Sequence, residues 1–119
     1  MADAIAWLPE PEETNYPAAQ SYLELLIPPE KAADTVSRLR LAAVTTFKAK
    51  DIFRASGLSL LGVSNLHVEK DRQKIAAGKK LSPILLVRSG TSVIIADGYH
   101  RMCAVYSLNE DALIPCKIV

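Results

Sequence analysis

Residues 94–104 read Ile94-Ile95-Ala96-Asp97-Gly98-Tyr99-His100-Arg101-Met102-Cys103-Ala104. An apolar run ends in an acid and a glycine, and a His-Arg pair then begins a segment with helical spacing. A strand that passes into a helix through glycine presents free backbone N–H groups at the positive end of the helix dipole. This pattern is typical of an anion-binding turn, and here it carries its own cation. We therefore expect the rest of the chain to position this turn.

The composition indicates a single folded domain. The chain has 119 residues, of which 50% are hydrophobic and 23% are charged, and this length supports one core rather than two. The net charge of +1 predicts no general affinity for nucleic acid or acidic membranes, and sequence-specific DNA binding is not expected.

No apolar run approaches the ~20 residues of a membrane span. The sequence shows no secretory signal, and Cys103 and Cys116 are expected as small core residues rather than a disulfide framework. We therefore predict a cytoplasmic protein without a membrane partner.

The first 43 residues are predicted to form two parts. Residues 1–15 contain several glutamates and prolines and no periodicity, so we expect a flexible lead-in. Its Trp7 and Leu8 either dock on the domain, which is the favoured interpretation, or contact a partner. Residues 16–43 predict a helical hairpin, because Pro28-Pro29 would end one helix and begin the next. The hairpin either packs on the domain or forms a homodimer. Its second helix carries an apolar stripe of Ala32, Val36, Leu39 and Ala43.

Residues 44–119 predict an α+β domain with a small mixed sheet and packed helices. The predicted elements are, in order, a strand over 45–52, an irregular loop over 53–63, a helix over 66–77, a strand over 84–87 that is buried on both faces, a strand over 92–96, a helix over 99–108 and a last strand over 113–119. Ser64 or Asn65 should cap the helix over 66–77, and Gly78 should end it.

The same part of the chain resembles the ParB/sulfiredoxin superfamily over about residues 45–119. Four segments match the pattern of that family in its order, "KAKDI", "VEKDRQKIAAGKKLSPILLV", "VIIADGYHRMCAVYSL" and "IPCKIV". The third segment contains the glycine-x-x-arginine turn that, in relatives of this fold, holds the phosphates of a nucleotide. The resemblance therefore implies a ParB/sulfiredoxin-like fold and ATP, ADP or CTP with Mg²⁺ as expected ligands.

The residues of the turn distinguish branches of this superfamily. ParB partition proteins typically carry Gly-Glu-Arg-Arg, whereas this chain has Gly98-Tyr99-His100-Arg101, so a role in chromosome or plasmid partition is not expected. Sulfiredoxins carry Gly-Cys-His-Arg, and Tyr99 stands where their catalytic cysteine would be. The Asp-Gly-x-His-Arg form most resembles the branch that includes free-serine kinases. That resemblance implies a site for nucleotide phosphates and allows phosphotransfer or ATPase activity.

Each residue of the turn has a chemistry suited to an anion. Gly98 lets the backbone approach closely, and the N–H groups of Tyr99 to Arg101 would point at the anion. Arg101 offers a bidentate guanidinium to phosphate oxygens. His100 can donate a hydrogen bond or transfer a proton near neutral pH, and Asp97 could hold Mg²⁺ that bridges phosphates. Asp97 and His100 are thus the candidate catalytic residues, and Tyr99 could stack on a base or sugar.

The helix over 66–77 could extend this site. His67, Lys70 and Lys74 lie at i, i+3 and i+7, so they share one face of that helix. They would form a cationic wall if this face meets the turn, and a solvated surface if it does not.

The residues of the turn also have structural interpretations. Asp97 could be an ordinary helix N-cap, and Gly98 could serve only a tight turn. His100 could be a hydrogen-bonded structural histidine, and Arg101 could form an ion pair with Asp51 or Asp97.

Two functions from different classes follow from these alternatives. The first is a nucleotide- or phosphate-binding protein. The second is a catalytically inactive interaction or regulatory module of the same fold, with the hairpin over 16–43 as its partner surface. A nuclease is less well supported, because Asp97 alone lies near the motif as a metal-binding carboxylate.

Overall fold

A computed structural model describes residues 4–62 and 65–119, and within them the chain forms an α+β fold with a mixed four-stranded sheet. The elements are α1 (Asn15–Leu23), α2 (Pro29–Leu41), β1 (Thr45–Lys48), α3 (Ala49–Ser56), α4 (Leu66–Ala76), β2 (Ile84–Ser89), β3 (Ser92–Asp97), α5 (Tyr99–Leu108) and β4 (Leu113–Ile118). The strand order is β1-β4-β2-β3. Strands β2 and β4 are parallel, and the other two pairs are antiparallel. The predicted fold class is confirmed.

The sheet separates two hydrophobic clusters, because alternate residues of a strand point to opposite faces. Leu85 packs with the apolar stripes of α1 and α2, whereas its neighbours Ile84 and Leu86 pack with residues of α3, α4 and α5. All three are buried, so the prediction of a strand buried on both faces is confirmed. The helical hairpin therefore packs on the sheet of its own chain. Ala43 is the exception to its predicted stripe, since α2 ends at Leu41 and Ala43 is exposed.

The predicted strand over 45–52 is wrong beyond Lys48. Residues 49–56 form α3, whose inward side chains Ala49 and Ile52 are both buried at helical spacing. The alternating "KAKDI" pattern is typical of a strand. Ala49 and Ile52 are three residues apart, however, so a helix buries both side chains against β3 and α5. The predicted loop over 53–63 is accordingly wrong for residues 53–56. Gly57, with φ of 67°, follows the end of α3, and Val63 lies outside the described residues.

The boundaries of α4 follow the predicted capping residues. Asn65 accepts hydrogen bonds from the backbone N–H groups of His67 and Val68, at 3.0 and 3.2 Å. Ser64, the alternative cap, lies outside the described residues. Gly78 has a φ of 73° just beyond the end of the helix, as expected for a glycine that ends a helix.

The segment before α1 is held against the domain. The N–H of Leu8 donates to the carbonyl of Leu81 at 2.8 Å, and the N–H of Leu81 donates to the carbonyl of Ala6 at 2.9 Å. Trp7 packs against the larger hydrophobic cluster, as predicted. Lys117 of β4, a buried cation, pairs with Glu10 at 3.0 Å. Residues 6–10 are therefore attached to the domain rather than flexible.

Within residues 4–62 and 65–119, every helix is too short or too polar to pass through a lipid bilayer.

Candidate functional site

The turn between β3 and α5 has the geometry of an open helix N-terminus. Gly98 is the N-cap residue, with φ of 109°, and no side chain caps the helix. The first helical bond runs from the N–H of Met102 to the carbonyl of Gly98 at 2.9 Å. The N–H groups of Tyr99, His100 and Arg101 therefore have no acceptor within the helix. The alternative in which Asp97 is the N-cap is wrong.

Gly98 is also required by packing against β2. A Cβ atom at this position would lie 2.3 Å from Cγ2 and 2.7 Å from Cβ of Ile84. Both distances are well below van der Waals contact. The absence of a side chain therefore lets the turn settle directly on Ile84, a contact that the sequence alone did not reveal.

Helix α4 lies beside the start of α5 and brings the predicted residues together. They line one cleft of about 230 Å³, here called the polar cleft, which is formed by His67, Lys70, Asp71, Lys74, Asp97, Gly98, Tyr99, His100 and Arg101. The face of α4 predicted as a cationic wall is thus directed at the turn. Sequence reasoning missed Asp71, although its place in the series i, i+3, i+4, i+7 with His67, Lys70 and Lys74 puts it on the same helical face.

Arg101 is fixed by an ion pair within the turn. Its Nη2 lies 2.9 Å from Oδ2 of Asp97, and the two side chains are only 17% and 18% exposed. The predicted alternative of a structural ion pair is therefore correct for Asp97 and wrong for Asp51, which pairs with Arg54 at 3.6 Å. Nε of Arg101 is buried and has no hydrogen-bond partner within the described residues. Because buried donors are nearly always paired, this N–H is an unusual donor that the acceptors of the described residues do not satisfy.

The N-terminal hairpin contributes to the position of Arg101. Oδ1 of Asn15, the first residue of α1, accepts a hydrogen bond from Oγ of Ser82 at 2.5 Å and a longer one from Nη2 of Arg101 at 3.4 Å. Oγ of Ser82 in turn accepts from the N–H of Glu12 at 2.9 Å. This network ties the lead-in, α1 and the start of β2 to the turn.

We expect Asn15→Ala to lower the free energy of unfolding by about 1–2 kcal/mol, because it removes the nearer acceptor of the buried Ser82 hydroxyl and leaves it only the carbonyl of Pro83 at 3.4 Å. Urea denaturation followed by circular dichroism measures this loss. Thr14→Ala is the matched control, since Thr14 makes no capping bond at the same helix start, and its change should stay within about 0.5 kcal/mol. Equal effects of the two substitutions would contradict the network.

Two histidines and a tyrosine form a row of rings across the turn. The ring centroids of His67 and His100 are 4.9 Å apart, and those of His100 and Tyr99 are 5.6 Å apart. Burial, together with the neighbouring His67, holds the pKa of His100 below its usual value of 6.5. Burial also raises the pKa of Asp71, and the nearby Lys74 and Arg101 offset only part of that effect. The cleft is therefore a mixed cluster in which cations face partly desolvated carboxylates.

The cysteines lie in the core and not in the polar cleft. Cys103 and Cys116 are both buried and free, as predicted. Burial raises the pKa of both thiols, that of Cys116 to about 12. Neither is a nucleophile at neutral pH, because the reactive form of cysteine is the thiolate.

The polar cleft fits Mg²⁺ only as a companion of phosphate. In the part of the chain that the structure describes, no three His, Cys, Asp or Glu side chains converge to hold a metal ion. Oδ2 of Asp97 is engaged by Arg101. Protein sites for Mg²⁺ commonly use one or two carboxylates together with substrate phosphates, and Asp97 and Asp71 would be those carboxylates here.

Comparison of the chain with protein-family models, with curated proteins and with solved structures finds no match. The resemblance to the ParB/sulfiredoxin superfamily thus stays a prediction from the sequence.

Proposed function

We propose that the polar cleft binds the phosphate groups of a small molecule, and that a nucleotide such as ATP, ADP or CTP is the expected ligand class. The observation that carries the proposal is the convergence of Lys70, Lys74 and Arg101 on a helix N-terminus without a cap. Backbone N–H groups, a helix dipole and a guanidinium all favour an anion at the same point. The proposed setting is the cytoplasm.

The spread of the cations in the cleft suits a polyphosphate better than a single phosphate group. Lys70, Lys74 and Arg101 are opposed by Asp71 and Asp97, so these five side chains leave a small formal excess of positive charge. Protonation of His100 would increase it. A polyphosphate can reach several of these cations together, and inorganic phosphate reaches fewer.

Catalysis is a separate proposal from binding. Phosphotransfer or ATP hydrolysis would require a group that orients or deprotonates the attacking oxygen. Asp97 and His100 are the candidates from the turn, and Asp71 adds a second carboxylate on the facing helix. Asp97 is already paired with Arg101. Asp71 and His100 are therefore the two groups more available for proton transfer.

Isothermal titration of the full chain with ATP, ADP, CTP and tripolyphosphate, each with and without Mg²⁺, tests the proposed function. We expect saturable binding of the triphosphates with one site per chain. Absence of binding for all four compounds would refute the proposal.

Binding of tripolyphosphate should strengthen as the pH falls from 7.5 to 5.5. The pKa of His100 lies below 6.5 in the free protein, and a bound anion favours the imidazolium, so protons are taken up with the ligand. Titration calorimetry at the two pH values measures the change, and His100→Gln corrects for protonation of the phosphate itself. If the variant shows the same pH dependence as the parent chain, His100 does not face the anion.

The alternative function is a catalytically inactive interaction module that uses the helical hairpin. The observation in its favour is that Leu25 and Leu41 are 82% and 88% exposed at the two ends of the hairpin. Light scattering of the full chain tests homodimer formation through these helices. A dimer that becomes a monomer in Leu25→Glu or Leu41→Glu would favour this alternative, and a monomer in every case would count against a homodimer. A nuclease is not proposed, since the described residues lack a cluster of metal-binding carboxylates.

A further inference from the structure

We infer that the flat ring of the bound nucleotide lies in a second cleft on the other side of the turn. This inference rests on the proposed function, because it places the organic part of the ligand whose phosphates the same turn would hold. The second cleft, here called the apolar cleft, measures about 470 Å³ and is lined by Ala18, Tyr22, Leu58, Ile95, Ala96 and residues 97–100. Residues 97–100 line the polar cleft as well. The turn is therefore a wall common to both clefts.

The apolar cleft has a buried floor and exposed apolar walls. Ile95 and Ala96 of β3 form the floor, and each is 5% exposed. Tyr22 of α1 and Leu58 of the loop after α3 also line the cleft and are 40% and 39% exposed. Ala18, one helical turn before Tyr22, lines it with a small side chain. Large apolar side chains around one concave site are typical of a surface that buries an apolar ligand group.

The face of α1 that lines the apolar cleft is distinct from the face that holds the helix on the sheet. Tyr16, Ala19 and Leu23 are buried against the sheet, whereas Ala18 and Tyr22 lie at the cleft. Core packing therefore does not account for Tyr22 at this position.

The polar cleft suits the phosphate groups of an aromatic phosphate ester, and the apolar cleft suits its ring. The polar cleft, at about 230 Å³, is below the roughly 300–1,000 Å³ of pockets that bury a whole organic ligand, and the apolar cleft is within that range. Tyr99 stands at the boundary, and its ring is anchored because its hydroxyl donates to the carbonyl of Ser59. Tyr22 and Tyr99 thus both present aromatic side chains to the apolar cleft, and aromatic faces stack on flat rings without regard to their hydrogen-bonding groups.

The test compares ligands with and without the ring in titration calorimetry of the full chain. Tripolyphosphate supplies phosphate alone, ATP and CTP supply a purine or a pyrimidine base, and phenyl phosphate and inorganic phosphate repeat the comparison without ribose. We expect ATP or CTP to bind at least ten-fold more tightly than tripolyphosphate. Tyr22→Ala should weaken nucleotide binding by about ten-fold, the typical loss when one stacking side chain is removed, and should leave tripolyphosphate binding within about two-fold.

Two variants control this comparison. Tyr22→Phe keeps the ring and should retain nucleotide affinity. Leu25→Ala lies just beyond the end of α1 and outside the apolar cleft, and it should change the affinity for neither ligand. Equal affinities of tripolyphosphate and nucleotide, both insensitive to Tyr22→Ala, would overturn the ring site while leaving phosphate binding in place. If no phosphate compound binds at all, the proposed function fails and this inference fails with it.

Discussion

Arg101→Ala is expected to weaken binding of tripolyphosphate and nucleotide by roughly 10- to 150-fold, the range that corresponds to one charge-assisted hydrogen bond. The loss has two sources. The substitution removes the guanidinium from the polar cleft, and it also leaves the carboxylate of Asp97, 18% exposed and 2.9 Å from its former partner, without a counter-ion. An unpaired carboxylate beside the helix N-terminus would repel the incoming phosphate. Titration calorimetry measures the change.

Two further substitutions separate the contribution of Arg101 from general effects of charge. Arg72→Ala also removes one arginine, from α4, but Arg72 does not line the polar cleft and lies 4.0 Å from Glu69. It should change affinity by less than about two-fold, because exposed charges are screened by salt. Arg101→Lys should give an intermediate loss, since an ammonium cannot form the two-pronged contact of a guanidinium. A similar affinity for Arg101→Ala and the parent chain would exclude Arg101 from the site.

Gly98→Ala is expected to destabilise the fold more than any other single substitution in the turn, by about 3–5 kcal/mol. Two effects add. A non-glycine residue is strained at a φ of 109°, and the new Cβ would lie 2.3 Å from Cγ2 of Ile84. Ile84 is completely buried in the central strand β2 and cannot move aside without disturbing the core. Thermal unfolding should show a Tm lower by roughly 10–20 °C.

Gly90→Ala separates the two effects, because Gly90 has a positive φ of 62° but open space where a Cβ would be. Its cost should be limited to backbone strain, about 1–2 kcal/mol. If Gly98→Ala costs no more than Gly90→Ala, the contact between the turn and Ile84 is not as close as the structure indicates.

Sequence patterns predicted most elements of this fold, because most of them have a clear periodicity or a defined end. The turn of residues 97–101 could be located from an apolar run, an acid and a glycine, and α4 from its cap at Asn65 and its end at Gly78. The error at α3 has a physical cause. Its eight residues are too few for periodicity to distinguish helix from strand, and contacts with distant elements decide the outcome.

The arrangement of the site was less accessible to sequence reasoning. The approach of α4 to the turn depends on how α4 packs on α5, which no local pattern encodes. The hydrogen bond between Asn15 and Arg101 joins residues 86 positions apart, and the contact of Gly98 with Ile84 depends on the pairing of β2 with β3. Asp71 is different, since its helical spacing with His67 and Lys74 is visible in the sequence, but a single carboxylate among cations is not a signal of an anion site.

Nuclear magnetic resonance of the ¹⁵N-labelled full chain, titrated with tripolyphosphate, shows directly whether phosphate binds at this turn. We expect the backbone amides of Tyr99, His100 and Arg101 to shift most, because they are the uncapped donors at the start of α5, and we expect these shifts to saturate together. Arg101→Ala should move that saturation to higher ligand concentration. Shifts confined to other basic positions such as Lys79 and Lys80, or no saturable shift at the turn, would contradict the claim that this turn binds phosphate.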